Sequence, residues 1–308
     1  MDLVIDQPAL ASTLPTLADF KEDLRQQFRH DLTKAGYTLP AATLDAQETA
    51  IRFHAIWLRW IQPRPRRVVW SAQLLARALA PDVRLALSTI EAESIGGLDL
   101  NPRSSRQQRK AMFNDWLLND WGVNHLHLGA QGAHKAGFAG STSDLLFVWV
   151  ADEDVYFLDV KDHRVFDTRC DESFVEIIHA NWPGIIDPYR LRGAVGLERK
   201  CTAEERVLMR SRFINVLVET ADGSVFAPIG GGMTGKGASI QATQWTIEVF
   251  RAVKAHHDWC ATHAEALADE ILRLHGTRPS NLRGLHVRLD GNKLMLHHEP
   301  TGILMWIS

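Results

Sequence analysis

The chain has 308 residues, enough for one large domain or two to three ordinary ones. Apolar residues make up 45% and charged residues 23%, an ordinary balance for a soluble globular protein, and a net charge of −3 means that nucleic-acid contact would need a local basic patch. Three scattered cysteines, Cys170, Cys201 and Cys260, argue against a disulfide framework and fit a reducing compartment.

No apolar run approaches the ~18 residues of a membrane helix. The opening "MDLVIDQPALAST" carries early acids and no basic stretch, so neither a secretory signal nor a membrane partner is expected. A cytoplasmic location is the expectation.

Residues 1–122 read as a helical region. "LADFKEDLRQQFRHDLTKAG" spaces its apolar residues helically and ends at Gly36, a residue suited to a left-handed cap. "DAQETAIRFHAIWLRWIQ" continues until Pro63 and Pro65 break it. Ser71 is placed to cap "AQLLARALA", and Pro81 suits the first turn of the next helix. "RKAMFNDWLLNDWG" is a further helix that stops at Gly122.

The pattern changes at residue 123, where a central region begins that extends to residue 200. "VNHLHL" alternates strictly, with Val123, His125 and His127 on one face and Leu126 and Leu128 on the other. After a Gly/Ala-rich loop, "LLFVWV" and "VYFLDV" form a hairpin about "ADED". "DESFVEIIHANW" returns to helical spacing.

Residues 201–308 read as a C-terminal α/β region. "NVLVET" and "SVFAPI" flank the turn "ADG", and the Gly-rich loop "GGGMTGKGAS" precedes a helical run from Ile240 to His275. The end, "GLHVRLDGNKLMLHHEPTGILMWIS", predicts a β-meander turning at "DGN". The expected class is α+β: an N-terminal helical region, a central mixed β-sheet core flanked by helices, and the C-terminal α/β region.

Asp144 opens one central strand, and Asp159 and Lys161 stand two apart on the next, hence on one face. Two carboxylates can hold Mg²⁺, and Mg²⁺ keeps waters able to attack phosphorus. A neighbouring lysine can orient that water and offset phosphate charge. The chain here resembles the PD-(D/E)XK, restriction-endonuclease-like nuclease superfamily over residues 105–182. Asp144, Asp159 and Lys161 match its motif, and the order helix, three strands, helix matches its fold. Ser143 stands where the motif has proline, and Asp115 and Asp120 are candidates for the acid that the first helix often supplies. The resemblance implies Mg²⁺ on Asp144 and Asp159 and cleavage of DNA or RNA, in a setting such as bacterial defence or a toxin. The same residues also fit a hairpin whose charges face water.

His125 and His127 offer a second chemistry. Imidazoles titrate near neutrality and serve as general acid and base in metal-free RNA cleavage, as in barnase-like and RelE-like ribonucleases. Lys135 and His163 can join them. A zinc site on the pair would need further ligands, which are not evident.

Arg59, Arg64, Arg66 and Arg67, interleaved with tryptophans, form one candidate nucleic-acid surface. Arg103, Arg106, Arg109 and Lys110 form another. "GGGMTGK" begins like a phosphate-binding loop, but Gly237 stands where a Mg²⁺-binding Ser or Thr belongs. "HHDWCATH" places His256, Cys260 and His263 along one helix face, where one metal would strain to reach all three. A non-catalytic nucleic-acid or protein-binding module accounts for the same features without cleavage.

Overall fold

The structure, a computed structural model, describes residues 17–40, 44–132, 137–162, 172–291 and 293–306. Its class is α+β, as the sequence predicts. The three consecutive regions are not how the chain divides. The described residues of Met1–Asp31, Ala42–Ala50 and Thr246–Ser308 form one compact unit, and those of Leu32–Ala41 and Ile51–Trp245 form the other. The boundaries at 122 and 200 both fall inside the second unit.

The first unit joins the chain's two ends. Helix α1 (Phe20–Lys34) buries Phe20, Leu24 and Phe28, spaced four apart on one face. Asp23 and Gln27 flank that face and meet the outer edge of a strand formed by Leu285–Asp290. Asp23 accepts from the Val287 N–H at 3.0 Å and meets His286 Nδ1 at 2.8 Å. Gln27 accepts from the Leu289 N–H at 2.9 Å and donates to the Leu289 carbonyl at 2.7 Å. Side chains from α1 thus satisfy an edge that would otherwise invite another strand. The sheet behind that edge is the predicted antiparallel meander, Leu285–Asp290, Lys293–His298 and Ile303–Trp306. The predicted helical run from 240 is two helices, Ile240–Thr262 and Ala264–His275, interrupted at His263.

The second unit is built on a four-stranded mixed sheet of order β1-β4-β3-β2. Its strands are β1 (Arg67–Trp70), β2 (Val123–His127), β3 (Asp144–Val150) and β4 (Asp154–Asp162). β3 and β4 form the predicted hairpin, β2 adds antiparallel to β3, and β1 adds parallel to β4. β1 lies in the stretch read as helical. Its four residues, "RVVW", sit between prolines and a helix cap, too short a run for periodicity to reveal.

Helices cover both faces of this sheet. On one, α5 (Trp116–Trp121) and α6 (Ser173–Asn181) pack Leu117, Trp121, Phe174 and Ile178 against Val123, Leu145 and Phe147. On the other, α4 (Pro81–Ile95) brings Leu87 and Ile90 against Leu126, Leu146, Val148, Phe157 and Val160. The short α3 (Ala72–Leu75), capped by Ser71 as predicted, lies where β1 ends beside β4. A helix absent from the sequence reading, α7 (Ala203–Ser211), starts with a Thr202–Glu205 capping box and sends Arg206 and Arg210 inward.

Candidate functional site

The hairpin turn sets the initial register of β3 on β4: Val150 pairs with Val155, Trp149 with Tyr156 and Val148 with Phe157. Continued unchanged, that register would put Leu146 opposite Asp159 and Asp144 opposite Lys161. All three motif side chains would then share one face. It does not continue. Leu158 is an extra, unpaired residue, a β-bulge, and beyond it Phe147 pairs with Asp159, Leu145 with Lys161 and Asp144 with Asp162.

Directly opposed residues project from one face of a sheet. Asp159 and Lys161 therefore leave on the side of Phe147 and Leu145, which α5 and α6 cover. Asp144 and Asp162 leave on the side of Leu146 and Val160, toward α4. Asp144 also lies three residues along β3 from the position facing Asp159, ~10 Å at the strand rise. Sharing of one ion by Asp144 and Asp159, expected from the motif, is not what this register arranges.

A cleft of about 430 Å³ at this end of the sheet is bordered by Asp144, Asp159, Lys161 and Asp162, with Arg77 and Val83 facing them. β1 pairs with β4 only as far as Phe157, leaving the edge of β4 open beyond it. Ser71 and Arg77 cover that edge. The Ser71 N–H donates to the Phe157 carbonyl at 3.0 Å and its hydroxyl to the Leu158 carbonyl at 2.6 Å; Arg77 donates to the Val160 carbonyl.

The partners at the cleft differ from acid to acid. Asp159 is buried, pairs with Arg77 at 3.0 Å and accepts from the Val160 N–H. Lys161 donates to Ser173 Oγ at 2.6 Å and lies 4.7 Å from the centre of the Phe174 ring. The Asp144 carboxylate meets no donor among the described residues. Mg²⁺ commonly takes one or two carboxylates and completes its shell with water and phosphate. Asp162 stands directly opposite Asp144 on the strand pair, and Asp159 does not. Among the described residues no group of three or more His, Cys, Asp or Glu is arranged to hold a metal.

The two helix acids considered as further ligands are otherwise engaged. Asp115 caps α5, accepting from the Leu118 N–H. Asp120 is buried and pairs with Arg210 at 2.7 Å, and that guanidinium lies 4.5 Å from the centre of the Trp121 ring. Burial pushes the Asp120 carboxyl up to about 6, opposed by the charges of Arg210 and Arg206.

His125 and His127 are half-buried on the face of β2 that the alternation predicts. Their ring centres are 6.4 Å apart. Register aligns His125 with Phe147 and Asp159, and His127 with Leu145 and Lys161. Two strand spacings, about 10 Å, separate each imidazole's backbone from the charged residue in its row. Lys135 and His163 lie outside the described residues.

Three of the candidate arginines are internal ties. Arg59 donates to the Phe113 carbonyl at 2.7 Å, and Arg66 to the carbonyls of Ala151 and Gln62. Arg103 grips Glu93 with two bonds of 2.6 and 2.7 Å and also donates to the His127 and Gly129 carbonyls. All three are buried, which removes them from any polynucleotide surface. Arg64 pairs with Asp152 and Arg67 with Asp154, while Arg106, Arg109 and Lys110 are exposed on a short 3₁₀ turn. Sequence reasoning finds arginine clusters but does not separate guanidiniums that serve backbone carbonyls from those that face water.

Several N–H groups of the Gly-rich loop are engaged within the protein. Gly230 and Gly232 donate to the carbonyls of Asp120 and Asn119, Gly237 to Thr234, and Met233 to Asn215 Oδ1. A Cβ on Gly230 would lie 2.0 Å from the Leu118 carbonyl oxygen, so glycine here permits close docking onto the end of α5. His256 and His263 each bond a carbonyl one turn back on their own helix, and burial raises the Cys260 thiol to about 12.

Asp162 is the residue that sequence reasoning passed over. Counting back from the hairpin points to Lys161, one residue short of Asp162, because the bulge is invisible in the count. Compared with family models, with curated proteins and with solved structures, the chain matches none.

Proposed function

We propose that the cleft at the Asp144 end of the sheet binds a divalent cation, Mg²⁺ in the first instance, and cleaves phosphodiester bonds of DNA or RNA. The observation that carries the reading is the Asp144 carboxylate, without a donor among the described residues and directly across the strand pair from Asp162. Asp144 and Asp162 would hold the ion, in place of the Asp144 and Asp159 that the motif names. Bound there, the cation supplies an acidified water and neutralises phosphate charge. Arg77, 44% exposed, offers a guanidinium to an incoming phosphate while fixing Asp159. Lys161, steadied by Ser173, adds positive charge at the cleft. The exposed Arg106, Arg109 and Lys110 are the remaining candidates for backbone contacts to the polynucleotide.

The test is cleavage of plasmid DNA and of single-stranded RNA with Mg²⁺ or EDTA. Cleavage is expected with Mg²⁺ and not with EDTA. Asp144→Asn and Asp162→Asn should each lower it at least about 100-fold, since a lost metal ligand removes several kcal/mol of transition-state stabilisation. Cleavage that survives EDTA and disappears in His127→Ala would transfer the chemistry to the imidazoles. Nucleic-acid binding without cleavage under any condition would leave a binding module.

A further inference from the structure

The hydrogen bonds at the turns of the C-terminal meander fix which backbone groups its two outer edges present. The Glu299 N–H donates to the Gly284 carbonyl, on the side of the first strand, Leu285–Asp290. His298, one residue back, faces the other way: its carbonyl accepts from the Thr301 and Gly302 N–H groups. Ile303 pairs with His298, so it turns its N–H and C=O inward, and direction alternates from there. Met305 also faces inward, whereas Leu304 and Trp306 send their N–H and C=O outward. The same alternation puts Val287 and Leu289 on the outer edge of the first strand, where Asp23 and Gln27 hold them.

The two edges are thus treated differently. The outward groups of Leu304 and Trp306 meet no partner among the described residues, and Leu304 is 55% exposed. The strand "ILMW" carries no charge, while the other two carry Arg288, Asp290 and Lys293. An apolar edge without lysine, proline or a covering side chain is a template for another strand. We propose that two copies of this chain associate here, their Ile303–Trp306 strands antiparallel about a two-fold axis at Met305. In that register Leu304 of each copy stands opposite Trp306 of the other, and the two exchange both N–H···O=C bonds. Every outward group of these residues then has a partner. Identical uncharged strands bring no like charges together, so the edge complements itself as a two-fold interface requires. A contact one short strand long is smaller than a standard interface, so the dimer is weak and forms with rising concentration. The inference concerns residues apart from the proposed cleavage cleft and stands without it.

Sedimentation of the full chain at rising concentration tests it, and a monomer–dimer equilibrium is expected. Leu304→Pro removes only an outward N–H, so the meander should keep its Tm. The dimer should weaken about 10-fold or more, because each copy loses a hydrogen bond. Leu304→Lys keeps the N–H, sets a charge on the edge and should weaken the dimer as well. With Cys170, Cys201 and Cys260 replaced by alanine, Met305→Cys should form an intermolecular disulfide, since the axis sets residue 305 within about 5.5 Å of its own copy. Leu304→Cys should stay reduced. A monomer at every concentration, a dimer undiminished by both the proline and the lysine variants, or a disulfide from Leu304→Cys and none from Met305→Cys overturns the proposal. A monomer whose residue-304 amide is protected from hydrogen exchange also overturns it, and gives the edge to another stretch of the same chain.

Discussion

The two ends of the β3–β4 hairpin carry unlike chemistry on one scaffold. At the Asp144 end, four acidic or basic side chains from adjacent strands border an open cleft and are split between two faces. At the Trp149 end, indoles and carboxamides enclose a smaller cavity, and Asn124 keeps its Oδ1 sealed, with no donor among the described residues. The hairpin turn fixes the register at the second end, so residues there sit where simple alternation puts them. One bulged residue, Leu158, separates the two ends and reverses the faces of everything beyond it. A motif spelled by residue type is therefore no guide to its geometry once a bulge lies between its members.

The largest effect that sharpens this contrast is expected at the buried Asp120–Arg210 pair, on the helix leading into β2. Arg210→Met strands a carboxylate in the core and should cost about 3–5 kcal/mol in denaturant unfolding, whereas Asp120→Leu with Arg210→Met should recover most of it. The Asp120 carboxyl is raised to about 6 in the fold, so its contribution to stability is full below the ordinary carboxylate pKa and is lost as pH rises through about 6. Asp120→Asn should remove that part of the stability–pH slope. An unchanged slope would mean that the carboxyl titrates normally.

A smaller effect addresses the bulge itself. The Ser71 hydroxyl both caps α3, accepting from the Leu74 N–H at 3.0 Å, and donates to the carbonyl of Leu158. Ser71→Ala should cost about 1–2 kcal/mol. Hydrogen exchange should then accelerate in residues 158–162 and stay unchanged in residues 154–157, on the turn side of the bulge. Equal acceleration on both sides would show that Ser71 braces the strand and not the bulge.

Much of this arrangement was legible. Period-2 alternation placed His125 and His127 on the same face as Val123, and the Asp-x-Lys spacing placed Asp159 with Lys161. The hairpin, the meander at the chain's end and the helices around residues 20–34 and 46–59 followed from local pattern. What was lost is what depends on distant partners. The first unit joins Asp23 to His286 and Val287 across more than 260 residues, a pairing that leaves no local trace. β1 is too short to show a period. The bulge at Leu158 coincides with a seam where Ser71 and Arg77 hold the strand edge, and neither lies near it in sequence. The nuclease-like motif was legible as residue types; its division between faces was not.

The register beyond Leu158 is the point on which the candidate site turns, and cross-strand disulfide formation measures it directly. With Cys170, Cys201 and Cys260 replaced by alanine, Asp144→Cys paired with Asp162→Cys should oxidise readily, since directly opposed residues bring their Cβ atoms within about 5.5 Å. Asp144→Cys paired with Lys161→Cys should stay reduced under the same conditions. A disulfide in the second pair and none in the first would mean that the strands run without a bulge, with Asp144, Asp159 and Lys161 reunited on one face.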